Sequence, residues 1–311
     1  MPMIALLASR LVVISTFPVL LFSMGLCRTP CVRVRSHGRG GGLDLGVAGR
    51  NFVLVGGTTG MGFATAQQLA ENGANVALLA RDGNRARDRA EQLSAEHGVR
   101  AVGIAVDAAA TGDGVDQAID HAAASLGPLR GLAITAGPMN QQGPFLEHGD
   151  DSWDCYYQLI LMATVRSCRA AIPHLQRNGG GTIVTTAAYS VRAPKILIPP
   201  YNALKAAVLT LSKILAKTHG PDGIRVNTVC PGLFDTEVND FIRAQRAAEY
   251  DVPLEDAIYT HLASNPDWNM RVALRRGGRP AEAGELIAFL LGERAAFMTG
   301  AAINIDGGTD F

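Results

Sequence analysis

The sequence predicts an α/β protein built on one doubly wound parallel sheet with helices on both faces. Three observations predict it. Short apolar, β-branched runs alternate with helical segments over about 260 residues. A glycine-rich turn, Gly56-Gly57-Thr58-Thr59-Gly60-Met61-Gly62, separates the first such run from the first helix. Far downstream, Tyr201 and Lys205 stand four apart in a helical stretch, which puts them on one face, one turn from each other.

The elements follow in order. Asn51 to Val55 is a buried strand. Phe63 to Asn72 reads as the first helix, closed by Gly73. Strand, glycine turn and helix N-terminus together form an anion site, with free backbone N–H groups and the positive dipole end facing a pyrophosphate. The spacing here is G-x-x-x-G-x-G. Asn75 to Ala80 is the second strand. An NAD-type site often carries an acid at this strand's end, on the ribose 2′-hydroxyl. Here Ala80 and then Arg81 occupy it. An arginine pairs with a 2′-phosphate, so NADP(H) is preferred over NAD(H), with Arg85 placed to assist. The alternative is a surface pair of Arg81 with Asp82 or Asp88.

Asn84 to His97 is a charged helix capped by Gly98. Arg100 to Val106 is the third strand, ending at Asp107, which either accepts from an adenine amino group or caps the next helix. Gly114 to Leu126 is helical, and Leu129 to Thr135 is the fourth strand. Ala136-Gly137 then makes a small-residue turn that a cofactor can approach closely. Asp151 to Gln176 reads as one long helix with Asp150 or Asp151 as N-cap. Its face around Trp153 suits a subunit interface better than a substrate site. Gly181 to Ala188 is the fifth strand, the Tyr201 helix runs to about His219, and Ile224 to Cys230 is the sixth strand, ended by Pro231-Gly232. Ala281 to Leu291 is a helix and Ala302 to Ile305 the last strand. The segment at about 235–278 is too long for an ordinary connection and reads as a lid over the site.

Composition limits the partners. The chain has 311 residues, 48% of them hydrophobic, enough for a sizeable core. Its 28 Lys+Arg balance 28 Asp+Glu, so no global field favours nucleic acid. Five scattered cysteines (Cys27, Cys31, Cys155, Cys168, Cys230) fit reduced thiols of a cytoplasmic compartment. Cys27 and Cys31 near His37 lack a second ligand pair, so no metal site is expected. Residues 1–43 stand apart from the domain at 44–311. Met1 to Cys27 is mostly apolar, and Arg28, Arg33, Arg35 and Arg39 follow. Three readings stand: a targeting segment, a weak membrane anchor if residues 1–27 are retained, or an extension ahead of the native start.

At this point the chain resembles the short-chain dehydrogenase/reductase family from about Leu45 to Phe311. The likeness rests on Gly56…Gly60-x-Gly62, Asp107, Thr135-Ala136-Gly137 in place of Asn-Ala-Gly, Tyr201-x-x-x-Lys205, Ile224-Arg225-Val226-Asn227, Pro231-Gly232-x-x-x-Thr236, and Thr299-Gly300…Asp306-Gly307-Gly308. The likeness extends to 3-oxoacyl-carrier-protein reductase-like members. It implies a Rossmann-like sheet of about seven strands and a homotetramer or dimer. It implies that Tyr201 gives a proton to a carbonyl oxygen, that Lys205 lowers the Tyr201 pKa and holds the nicotinamide ribose, and that Leu233 and Thr236 hold the carboxamide. The family's catalytic serine falls on Ala188 and its catalytic asparagine on Ile160. Ser190 is the first candidate to replace the serine, with Tyr189 and Thr186 nearby.

The chemistry implied is NADPH-dependent reduction of a ketone or 3-oxoacyl group, or the reverse. The alternative is a cofactor-binding scaffold with little or no catalysis. Enoyl reduction needs a different Tyr spacing, with Tyr189 as the nearest substitute. Apolar lid residues (Leu233, Phe234, Phe241, Ile242, Tyr250, Trp268, Met270) point to a hydrophobic substrate. Arg243, Arg246, Arg271, Arg275 and Arg276 offer cations for a phosphate or simply face water.

Overall fold

Strand β1 (Asn51–Val55) carries no polar face because it lies inside the sheet, covered on both sides. Val53 and Val55 enter one apolar cluster and Phe52 and Leu54 the other, as the period-2 alternation of a strand requires. The computed structural model describes residues 44–137, 141–236, 240–265, 268 and 270–309. Residues 1–43, with Cys27, Cys31 and His37, lie outside the described residues, as do the side chains of Phe241 and Ile242.

Six further strands follow: β2 (Asn75–Ala80), β3 (Ala101–Ala105), β4 (Leu129–Ile134), β5 (Gly181–Thr186), β6 (Ile224–Pro231) and β7 (Ala302–Ile305). All pairings are parallel and the order is β3-β2-β1-β4-β5-β6-β7. The chain begins at the centre, winds out to β3, and crosses back to β4. The reversal between β1 and β4 opens a crevice at the strands' carboxyl ends. Helices α1 (Gly60–Glu71), α2 (Gly83–His97) and α9 (Pro280–Leu291) bury their apolar stripes on one face. Helices α3 (Gly114–Leu126) and α5 (Ala163–Arg177) cover the other. Each fully buried Leu or Ile there contributes about 1.5–3 kcal/mol. Among the described residues no helix is long and apolar enough to cross a membrane.

Local boundaries differ from the sequence expectation where side chains override propensity. The expected long helix is α4 (Asp150–Tyr156), a π-helical turn (Tyr157–Met162) and α5. Gly149, not Asp150 or Asp151, sits at its cap; both acids lie in the first turn, where the helix dipole favours them. Strand β5 stops at Thr186, two residues short of Ala188, because the chain turns into a 3₁₀ segment at Tyr189–Val191. The Ile224…Asn227 and Thr299-Gly300 motifs are structural. The Arg225 guanidinium donates to the carbonyls of Leu290, Gly292 and Met298, and Asn227 Nδ2 donates to Met298 O at 2.8 Å. These bonds pin the α9–β7 connection to β6.

Candidate active site

The turn after β1 is shaped by two steric demands. Gly56 has φ +86°, a left-handed backbone, and a Cβ there would meet Ala136 N at 2.8 Å. A Cβ on Gly62 would lie 2.1 Å from Gly56 O. Thr135 explains its own place in the motif: its hydroxyl reaches Gly56 O at 3.2 Å and Val55 O at 3.3 Å, clamping the end of β4 to the turn. Thr59 makes no capping bond and the first turn of α1 holds no acid. The positive end of that helix is therefore left open to an anion. This bare cradle fits the pyrophosphate of a dinucleotide.

The strand ends extend the cradle sideways. Arg81 is exposed and lines the cleft beyond β2, and no ion pair of Arg81 occurs among the described residues. Asp82 is occupied elsewhere: it caps α2 by accepting from Arg85 N at 3.0 Å, and its other oxygen lies 3.7 Å from Arg85 Nε. Asp107 accepts from Ala109 N at 2.9 Å, so it holds its own turn while facing the cleft.

Helix α6 (Pro199–His219) begins with two prolines, which start a helix without losing a needed N–H. Tyr201 therefore falls in its first turn and Lys205 in its second. Lys205 is 2% exposed and donates from Nζ to Thr186 O at 3.0 Å. The ammonium lies 5.5 Å from the Tyr201 ring centroid. Tyr156 packs edge-on against Tyr201, with centroids 6.3 Å apart. The Tyr156 hydroxyl is fixed by the backbone of Gln141, donating at 2.9 Å and accepting at 2.7 Å.

One electrostatic expectation is reversed. Burial, reinforced by the Tyr189 and Tyr156 hydroxyls, pushes the Tyr201 phenol up, not down. Burial also lowers Lys205 to about 8. A buried pair disfavours each charged form, and that outweighs the attraction of an ammonium set over the ring instead of at the oxygen.

The two missing family residues leave apolar positions. Ala188 lines the cleft, and Ile160 lies within the π-helical turn, packed with Tyr156 and Val208. Two hydroxyls flank Ala188 in the same wall. Ser190 is 1% exposed, and its Oγ has no hydrogen-bond partner. Thr186 Oγ1 is likewise buried without a partner. An orphaned buried hydroxyl costs about 1–3 kcal/mol, and two of them in a cleft wall leave a polar spot for a ligand oxygen. Tyr189 points elsewhere, its hydroxyl 3.3 Å from Met270 Sδ.

The segment expected as a lid folds as α7 (Asp240–Tyr250) and α8 (Ala257–Ser264). Most of its arginines are spent or exposed: Arg243 pairs with Asp235, Arg276 with Glu282, and Arg271 and Arg275 face solvent. Arg246, paired with Glu249, and His261 line the cleft, with Leu262, Trp268 and Met270. No local signal marks His261 in the sequence. Every site residue expected from the sequence, from Gly56 through Thr236, lines this one cleft of about 1200 Å³.

Known proteins match this chain over most of its length. A family model described as enoyl-(acyl carrier protein) reductase matches residues 55–310. The cis-4-hydroxycyclohexanecarboxylate dehydrogenase of Sinomonas cyclohexanicum is 31% identical over 261 residues, 84% of this chain and 96% of that protein. L-sorbose reductase from Gluconobacter frateurii, solved with NADPH and L-sorbose, matches at 31% identity with a TM-score of 0.78, over 86% of this chain and 98% of its own. A short-chain oxidoreductase from Pseudomonas aeruginosa PAO1, described as containing an atypical catalytic center, matches at 28% identity with a TM-score of 0.77, over 85% and 98%.

Proposed function

The chain belongs to the short-chain dehydrogenase/reductase family, and we propose that this oxidoreductase uses NADP(H) to reduce a ketone or 3-oxoacyl group to a secondary alcohol, or runs the reverse. One observation carries the reading. The Tyr201–Lys205 pair faces the same cleft as the open N-terminus of α1 and as Arg81. The glycine turn would hold the pyrophosphate and Arg81 the 2′-phosphate, a preference in line with the NADPH in the L-sorbose reductase structure. Thr236 sits against this turn: its Cγ2 is 3.3 Å from where a Gly60 Cβ would be. When bound, the nicotinamide supplies the hydride.

The remaining steps belong to side chains of this chain. The buried Tyr201 phenol stays protonated across the neutral range, which suits donation to a carbonyl oxygen as negative charge develops. Lys205 adds a positive charge behind it. Ser190 supplies the hydroxyl that stabilises the same oxygen, in place of a serine at Ala188. Tyr156 and the π-helical turn fix the Tyr201 ring. Ala188 and Ile160 favour a second reading, a cofactor-binding scaffold with weak catalysis.

NADPH consumption at 340 nm separates the two. Residues 44–311 and their Tyr201→Phe variant are tested against ketones, quinones and 3-oxoacyl thioesters. Turnover that the variant abolishes supports the reductase. Equal silence with NADPH still bound supports the scaffold. An insoluble 44–311 fragment would show that residues 1–43 are structural. We also read the protein as a homo-oligomer, since Phe145, Leu146 and Tyr157 leave an exposed apolar surface near α4, and its unpaired Cys155, Cys168 and Cys230 are in keeping with a cytoplasmic location; light scattering that finds only monomer removes that assembly.

A further inference from the structure

The far wall of the cleft carries a feature that dinucleotide binding and proton transfer leave unused. Arg246 on α7 and His261 on α8 both line it. Glu249 pairs with Arg246 through Nη1. Arg246 Nε is buried and has no acceptor among the described residues. The side-on edge of a guanidinium, which includes Nε, is the edge that takes a carboxylate with two parallel bonds. His261 Nδ1 lies 3.1 Å from the Tyr250 hydroxyl. When that hydroxyl donates to Nδ1, Nε2 carries the proton and is a second donor.

An apolar path joins this pair to the reacting end. Tyr189, next to Ser190, contacts Met270, and Met270 packs with Leu262, next to His261. Met270 N also donates to Leu262 O at 3.1 Å, tying the path to α8. The cleft therefore presents a hydroxyl and phenol at one end, an apolar wall between, and two N–H donors in the lid.

We propose that the substrate is an apolar carbonyl compound, or its alcohol, that bears a carboxylate away from the reacting carbon, and that Arg246 with His261 binds this carboxylate. The proposal rests on the carbonyl–alcohol reading above and names the substrate class for it. A neutral amide or ester offers Arg246 Nε a carbonyl acceptor but neither the charge nor the second equivalent oxygen of a carboxylate, so it forgoes the paired charge-assisted bonds and binds more weakly.

The test uses matched pairs differing only in charge. For binding, the NADPH-loaded chain is titrated calorimetrically with cyclohexanecarboxylate and with cyclohexanecarboxamide, in the wild type and in Arg246→Met. For turnover, 4-oxocyclohexanecarboxylate is compared with its methyl ester. The expected result is that the carboxylate binds roughly 10- to 100-fold tighter than the amide, that Arg246→Met removes this preference, and that NADPH affinity does not change. In turnover, the same variant should raise KM for the acid and leave the ester within about threefold. Carboxylate and amide binding alike in the wild type would overturn the proposal. So would weaker NADPH binding in Arg246→Met, which would make Arg246 a cofactor residue. Carboxylate-selective binding with no turnover would support the subsite and count only against the reductase reading.

Discussion

The two ends of the cleft are built by different means. The end near β1 and β2 is made of backbone: a glycine turn, strand termini and the open start of α1, all set by the sheet. The other end is made of side chains from α7, α8 and the turn at Tyr189–Val191, brought together from distant parts of the chain. The first end leaves no room for a Cβ at Gly56 or Gly62. The second recognises whatever the lid side chains happen to offer. Generic binding follows from secondary structure, and selectivity follows from packing.

The largest expected effect lies where the two ends meet. Tyr201→Phe removes the proton donor and should lower kcat by about 10²–10⁴-fold while NADPH affinity stays unchanged. A loss of NADPH binding as well would mean that Tyr201 serves the cofactor end. Ser190→Ala comes next. If the orphaned hydroxyl holds the substrate oxygen, kcat should fall about 10²–10³-fold. An unchanged rate would hand that role to Thr186, the other unpartnered hydroxyl in the wall. Arg81→Ala tests the cofactor end alone. Loss of charge-assisted bonds to a 2′-phosphate should weaken NADPH about 10- to 100-fold and leave NADH nearly untouched, by fluorescence titration. Equal weakening of both cofactors would remove the phosphate argument.

The smallest effect is electrostatic and concerns Lys205. Its folded pKa of about 8 lies below the ordinary lysine value of 10.5. Below pH 8 it is charged in the folded and unfolded chains alike, and the burden of burying the ammonium is fully present. Between about 8 and 10.5 the folded chain has lost the proton and the unfolded chain still holds it. The unfolded state then binds more protons, so the stability of the cofactor-free protein should rise with pH across that window. Reduction should move the other way, slowing as pH rises through about 8 and the ammonium behind Tyr201 is lost. Lys205→Met should flatten the stability trend seen by thermal denaturation; an unchanged trend would place its origin in another group.

Much of this is legible in the sequence. The strand at Asn51–Val55, the glycine turn and the Tyr201–Lys205 pair are short-range features, and short-range features obey spacing rules. The errors arose where contacts are long-range. An ammonium one helical turn away suggests that Lys205 lowers the Tyr201 pKa; desolvation of the phenol reverses the sign. One continuous helix was expected over Asp151–Gln176, because periodicity does not register the extra residue of a π-helical turn. The lid arginines looked equivalent in the sequence. The folded chain pairs Arg243 with Asp235, Arg276 with Glu282 and Arg246 with Glu249, and of the lid arginines named above it brings Arg246 to the cleft wall.

The sequence by itself determined the strand–helix alternation of the parallel sheet, the place of the glycine turn and the one-turn spacing of Tyr201 and Lys205. The turn and the Tyr201–Lys205 spacing depend on residues within a few positions of one another, and the sheet follows from a pattern repeated along the chain. The tertiary structure alone decided which hydroxyl stands beside Ala188, which cations reach the cleft, and how burial sets the charge of Tyr201 and Lys205. Those properties depend on which distant segments exclude water from a group, and that is fixed only when the sheet, α6 and the lid pack together.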